Sequence, residues 1–557
     1  MSTPVVQNAA GFELPDGHRR AIRWLLYIAF AAVSVGFING LGQALGYAGI
    51  NIYQYFPGMR SYYQGLTVHG VFNAIVFTFS FTNGFLALTT SRALGRPVDG
   101  RLLWAVFGLT VAGVGLASWA MFSGNASVLY TFYPPLQAHW TYYLGLALLV
   151  IATWVMSAAM LLALSAWRKE HPGERIPLLA FVSIATYVMW DIASVGIAVE
   201  VVGFLLPWSL GLIEGSDPLL SRTLFWFSGH PIVYFWLLPA YVSWYCMVPK
   251  HAGGTLFSDT LTRTVFLMFL VLSIPVGFHH QFTDPGIQTG FKAVHAVLTF
   301  GVLYPSLVTL FSVMWALETG ARRRGGRGLV RWWSRLNWKD PVLVAQILAM
   351  VTFLLGGITG LVNASFNMNM VVHNTTWVPG HFHMTVASAV TMSFMGIAYW
   401  LIPYLTKRRL VGRRIALAQA WTYFLGVLIF ARGMIQGGLD GMPRRTAMSE
   451  APYRQFMPEW DLAGILTGVG GSLMFVGALL FFVVFLATIF FGARQEDAGD
   501  IPFTETAEPP ATEGWVVGLD RFRYWVAITI LLILIAYGPF IVQYLPPNLT
   551  SPGQQIF

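Results

Sequence analysis

The sequence predicts an all-α fold: a polytopic membrane bundle of about thirteen transmembrane helices, N-terminus inside and C-terminus outside. Three observations lead there. Of 557 residues, 56% are hydrophobic and only 10% charged, with a mean hydropathy of +0.62, whereas a soluble domain carries roughly 25% charged residues. Apolar runs of about 20 residues, the length that crosses a hydrocarbon layer, recur along the whole chain. The cations gather in alternate connections: with the N-terminus inside, all but seven of the 33 Lys and Arg fall on the inner side, the exceptions being Arg60, Arg222, Lys292, Arg432, Arg444, Arg445 and Arg454. Such asymmetry is the positive-inside rule.

In chain order, residues 1–22 form a polar inner tail without a cleavable signal pattern, so the first span acts as an uncleaved anchor. Spans are expected at approximately 23–45, 66–90, 102–124, 141–166, 178–206, 223–248, 262–282, 292–317, 341–362, 380–404, 415–438, 462–491 and 523–546, one membrane domain over 23–546. Pro239 and Pro275 interrupt the sixth and seventh spans, which membrane helices tolerate where neighbours re-satisfy the freed carbonyls. An inner linker, about 492–522, is rich in acids, Pro and Thr, and residues 547–557 form an outer tail. The basic runs "RRRGGRG" and "KRRLVGRR" read as topogenic loops and not as nucleic-acid patches. The single cysteine, Cys246, excludes disulfides and a thiolate zinc site and reads as a packing residue.

Six of the twelve histidines lie in or beside apolar runs: His69, His230, His279, His280, His381 and His383. An ionisable group there is costly and marks function. Even-numbered spans run outside to inside and the seventh runs back, so all six fall near the outer ends of four helices. Imidazoles without nearby cysteines or carboxylates suit iron and copper. His381 and His383, two apart in "WVPGHFHMTVAS", sit about 200° apart around a helix, so each faces a different metal. Heme iron takes axial histidines, and two hemes can flank one helix. His69 can complete a six-coordinate electron carrier, leaving His230, His279 and His280 as a three-nitrogen set suited to copper.

The motifs "LTVHGVFNA", "GHPIVYFWLLPAY", "VGFHHQFTDPG" and "VVHNTTWVPGHFHM" resemble the core of subunit I of heme-copper oxygen reductases, specifically the B family, the cytochrome ba-three type of cytochrome c oxidase. The resemblance spans almost the whole chain. It implies two hemes (a low-spin b-type and a high-spin a- or b-type) and one copper ion, copper B. His69 and His383 would ligate the low-spin heme, His381 the high-spin heme, and His230, His279 and His280 copper B, with Tyr234 cross-linked to His230. It further implies four-electron reduction of dioxygen to water in a prokaryotic plasma membrane. Electrons would come from cytochrome c through a two-copper centre on subunit II, since one cysteine cannot build that centre here; a small accessory subunit, membrane lipid and no nucleic acid complete the expected partners.

On the sixth span His230, Tyr234, Tyr241 and Tyr245 fall within about 60° of arc over about 22 Å, and Ser306 and Thr309 share a face of the eighth. The family's single K-type proton path matches these hydroxyls. Where many A-family oxidases read "HPEVY", this chain has Ile232, so a glutamate-gated route is not expected. On the outer side His373, Asn374, Arg444 and Arg445 resemble heme-propionate holders, since guanidiniums suit carboxylates. Asn369 stands where an aspartate is expected four residues before His373. Two rivals remain: a nitric oxide reductase-like enzyme with non-heme metal, which in its relatives lacks the tyrosine, and a membrane transporter whose histidines relay protons.

Overall fold

The computed structural model describes residues 12–56, 58–495, 501–507 and 514–548. These residues form helices and connecting turns, with only isolated β-bridges between loops. The inner and outer tails and the linker lie partly outside the described residues.

Among the described residues, eleven helices are long and apolar enough to cross a membrane. They are α1 (Asp16–Tyr47), α2 (Tyr62–Ala93), α3 (Gly100–Phe122), α4 (Trp140–Glu170) and α5 (Leu178–Ser209), then α9 (Thr289–Arg323), α10 (Pro341–Ala364), α12 (Trp377–Thr406), α13 (Arg413–Leu439), α14 (Trp460–Phe491) and α15, which crosses over Phe522–Tyr544. Between α5 and α9 lie shorter helices, α6 (Pro218–Gly229), α7 (Pro231–Cys246), the five-residue helix Val248–Ala252, and α8 (Asp259–Leu272), and α11 (Phe366–Val372) is a single short piece. The sixth and seventh expected spans are thus interrupted helices. Pro231 lacks an N–H and starts a new helix after His230. Beyond α8 the chain bends through Pro275 into a tight 3₁₀ turn, Gly277–Gln281, that holds both consecutive histidines.

Local capping follows the sequence. Asp99, Asp217, Ser258 and Asp340 side chains accept from the first-turn amides of α3, α6, α8 and α10. Two of the histidine-bearing helices widen into π-turns just past their histidines, at Phe72–Phe77 in α2 and Thr385–Val390 in α12; such turns re-aim side chains and recur at functional sites. The apolar core runs through the bundle, with α2 the most enclosed span. Cys246 is a buried free thiol. At one end of the bundle, here called the basic end, lie the arginine-rich loops; the six histidines lie toward the other.

Candidate active site

His69 on α2 and His383 on α12 face one another with rings parallel to within 9° and centroids 6.3 Å apart. Two metal–nitrogen bonds of about 2 Å account for about 4 Å of that separation, and the rest is imidazole from each ring centre to its nitrogen. His69 Nδ1 donates to Gly36 O at 2.8 Å and His383 Nδ1 to Pro379 O at 2.7 Å. Each backbone bond fixes the tautomer and leaves Nε2 with its lone pair toward the gap. Room is made by α1: a Cβ on Gly40 would lie 2.7 Å from His69 Cε1. Around the pair opens a mostly apolar cavity lined also by Phe37, Tyr130, Phe382 and Phe430. The parallel pair facing this cavity fits a bis-histidine macrocycle.

A second cavity is lined by His381, His230, His279, His280 and Tyr234. His381 Nδ1 donates to Gly356 O at 2.9 Å, with Thr359 Oγ1 at 3.0 Å, so its Nε2 is the free nitrogen. The other three histidines place one nitrogen each within 4.8 Å of one another. His279 Nδ1 donates to Thr299 Oγ1 at 2.9 Å, and the indole of Trp226 stacks on His280 at 3.8 Å and 8°. A Cβ on Gly277 would sit 2.3 Å from Trp226 O; only glycine lets the 3₁₀ turn approach α6 this closely. His230 Nδ1 lies 3.3 Å from His280 Nε2, while its Nε2 is buried without a partner on a ring 4.9 Å from that of Tyr234. Three convergent neutral nitrogens fit a copper ion.

Toward the basic end, Tyr245 OH donates to Thr309 Oγ1 at 2.8 Å, which in turn donates to Pro305 O. The Tyr241 hydroxyl is buried without a direct partner, near Ser306 and Thr309. Ser306 and Tyr234 both line the second cavity. The five hydroxyls therefore form one discontinuous file whose gaps are of the kind that bridging water closes.

At the opposite end, Thr375 pairs with Pro443 in an antiparallel bridge, and Arg444 N donates to Asn374 O. Arg444 Nη2 also donates to Asn374 Oδ1 at 2.9 Å, and Arg444 borders both cavities. Burial and the Arg445 charge push Arg444 down to about 10, still a cation at neutral pH. Burial, then Arg444, Arg222 and Arg445, push His373 down to about 4. Its Nδ1 donates to Asn369 Oδ1 at 3.1 Å, and its Nε2 is buried without a partner. Arg222 grips Asp284 through two 2.8 Å bonds. Uncompensated cations beside both cavities fit carboxylate-bearing groups. Sequence reading missed the supports of the histidines: Gly36, Gly40, Thr299, Gly356, Thr359 and the carbonyl of Pro379. Only their proximity in space marks them.

Fold and site define a multi-pass membrane protein built around two histidine-lined cavities and a three-histidine cluster able to hold a metal. A family model described as Cytochrome C and Quinol oxidase polypeptide I matches residues 20–473. Cytochrome c oxidase subunit 1 of Thermus thermophilus is 42% identical over 547 residues, 97% of each chain. Heme-copper oxidase subunit I+III of Aeropyrum pernix is 28% identical over 76% of this chain and 51% of its own length. A cryo-EM structure of a heme-copper terminal oxidase dimer superposes with a TM-score of 0.89 at 37% identity, covering 94% of this chain and 92% of the other. The chain belongs to the subunit I family of heme-copper oxidases. It is a terminal-oxidase catalytic subunit of the cytochrome c oxidase type, from a family that carries hemes and copper and works with a subunit II.

Proposed function

We propose that the chain is a B-family oxidase subunit that reduces dioxygen to water with electrons from cytochrome c, delivered through a two-copper subunit II, while translocating protons. The carrying observation is the division of the six histidines into a parallel pair, a single ligand and a triangle. In this reading His69 and His383 hold a low-spin b-type heme, His381 a high-spin a- or b-type heme, and His230, His279 and His280 copper B. When bound, the low-spin heme carries electrons and the high-spin heme with copper supplies the oxygen chemistry.

The protein's own residues then position and protonate. Gly36, Pro379 and Gly356 carbonyls and Thr299 hold the imidazole tautomers, which raises ligand basicity. The partnerless Nε2 of His230, turned to Tyr234, supports the covalent cross-link between them. Tyr245, Thr309, Ser306, Tyr241 and Tyr234 pass protons from the basic end, which is the inner face, as a single K-type path; Ile232 leaves no carboxyl in the motif for another. His373, Asn374, Arg444 and Arg445 hold propionates. Asn369 accepts from His373 as an aspartate would, but has no proton to store. The two broken helices also cross the membrane, making thirteen spans, with the N-terminus inside and the C-terminus outside, in a prokaryotic plasma membrane. A reduced-minus-oxidised absorption spectrum with metal analysis and oxygen uptake tests all this. One low-spin heme, one high-spin heme and one copper with oxygen consumption are expected. Non-heme iron with nitric oxide consumption would establish a reductase instead, and a colourless protein a transporter.

A further inference from the structure

α5 carries a carboxyl that the oxygen site does not use. Asp191 lies about 20 Å along that helix from its basic end, near mid-membrane. Ser157 of α4 donates to Asp191 Oδ2 at 2.5 Å, and Oδ1 is buried without a partner. Among the described residues no cation pairs with it. A carboxylate in hydrocarbon without a counter-charge is costly, so this position calls for a proton.

The seam between α2 and α5 supplies a way in. Ser183, Tyr187 and Asp191 follow at four-residue spacing, one face of α5. Tyr187 OH donates to Asn83 Oδ1 at 2.5 Å, Ser183 and Thr89 share a hydrogen bond of 2.9 Å, and Ser91 at the basic end accepts from Val98 N. The hydroxyls of Thr82 and Thr90 on α2 are buried without acceptors, the kind of group that orders water in a seam. On the far side Trp190 stacks on Phe235 at 4.8 Å, with Phe79 edge-on to both. These rings pack where α2 and α5 meet α7, the helix that carries Tyr234.

We propose that Asp191 is a proton-holding site in exchange with inner-face water through Ser91, Thr89, Ser183 and Tyr187; it does not feed the oxygen site, whose single path remains the Tyr245–Thr309 file. The ligand is a proton alone: inner water gives it up, hydroxyls and bridging water relay it, and an Asp191 oxygen receives it, with no change of redox state. The direction of filling rests on the orientation proposed above.

Infrared spectra of the holoenzyme in H2O and D2O test it. The protein should show a protonated-carboxyl C=O band that shifts in D2O and is absent in Asp191→Asn. Ser183→Ala should retain the band and slow its exchange about tenfold or more, the effect of raising one transfer barrier. Should Asp191→Asn fail to assemble, Ser157→Ala serves instead, because removing that donor should move the band's frequency. An unchanged carboxyl region in these variants, or a band that never exchanges, overturns the proposal and leaves Asp191 as polar glue between α4 and α5. Optical spectra of the same samples report the hemes separately, so failure of the oxidase reading is a distinct result.

Discussion

Gly40→Ala tests the low-spin site through a residue that touches no metal. The added Cβ would lie 2.7 Å from His69 Cε1 and 2.9 Å from Nδ1. Ordinary carbon contacts sit at about 3.5–4.0 Å, so ring or helix must move by about 0.8 Å. The ring cannot simply retreat, because Nδ1 is tied to Gly36 O at 2.8 Å and the opposite nitrogen is fixed by the position of His383. Overpacking of this kind costs about 1–3 kcal/mol, and a reacting group misplaced by about 1 Å loses about 10²-fold in rate. The variant should lose the six-coordinate low-spin absorption and most oxygen uptake while keeping the high-spin signal. One alanine on α10 grades the effect. At Gly360 the new Cβ meets His381 Cε1 at 3.1 Å, a few tenths too close. Gly360→Ala should therefore perturb the high-spin heme mildly. A normal low-spin spectrum and turnover in Gly40→Ala would refute the placement of His69.

Other consequences are equally direct. Tyr234→Phe should retain both hemes and copper yet abolish most turnover, measured by oxygen uptake beside the optical spectrum; near-normal oxygen reduction refutes its role. Thr309→Val removes the acceptor of Tyr245 OH and should slow oxygen uptake at least about tenfold, modest beside the 10²–10⁴ typical of a lost proton-transfer group, with spectra unchanged. At the basic end, burial raises the Asp340 carboxyl, but the His251 Nδ1–H at 2.8 Å, its charge, Val342 N–H and Arg413 outweigh this and leave it below 3.8. A carboxyl depressed on folding stabilises above its unfolded value and loses that contribution as pH falls through the folded one. Asp340→Asn should flatten the acid limb of thermal stability from about pH 5 downward through the folded value; an acid limb as steep as the wild type's would refute the link.

The sequence alone determined what each segment had to be. Apolar runs of membrane length placed the helices, because hydrocarbon admits only internally bonded backbone. Histidines in those runs were legible for the same reason: their cost in an apolar setting makes them stand out. Pro239 and Pro275 read as interruptions, yet Pro239 lies inside α7 and the sixth span breaks at Pro231 instead, and nothing local said that His279 and His280 would leave the helix for a 3₁₀ turn packed on Trp226. That outcome depends on Gly277 meeting a carbonyl distant in sequence. Likewise, periodicity separated His381 from His383 and the motifs paired His69 with His383, but only packing set their rings parallel, chose the nitrogen each ring presents, and cleared space at Gly40. Tautomers and distances depend on groups brought together from different helices, and such contacts have no period in the sequence. Tertiary structure therefore decided the site's geometry, while the chain's chemistry had already fixed where it must be built.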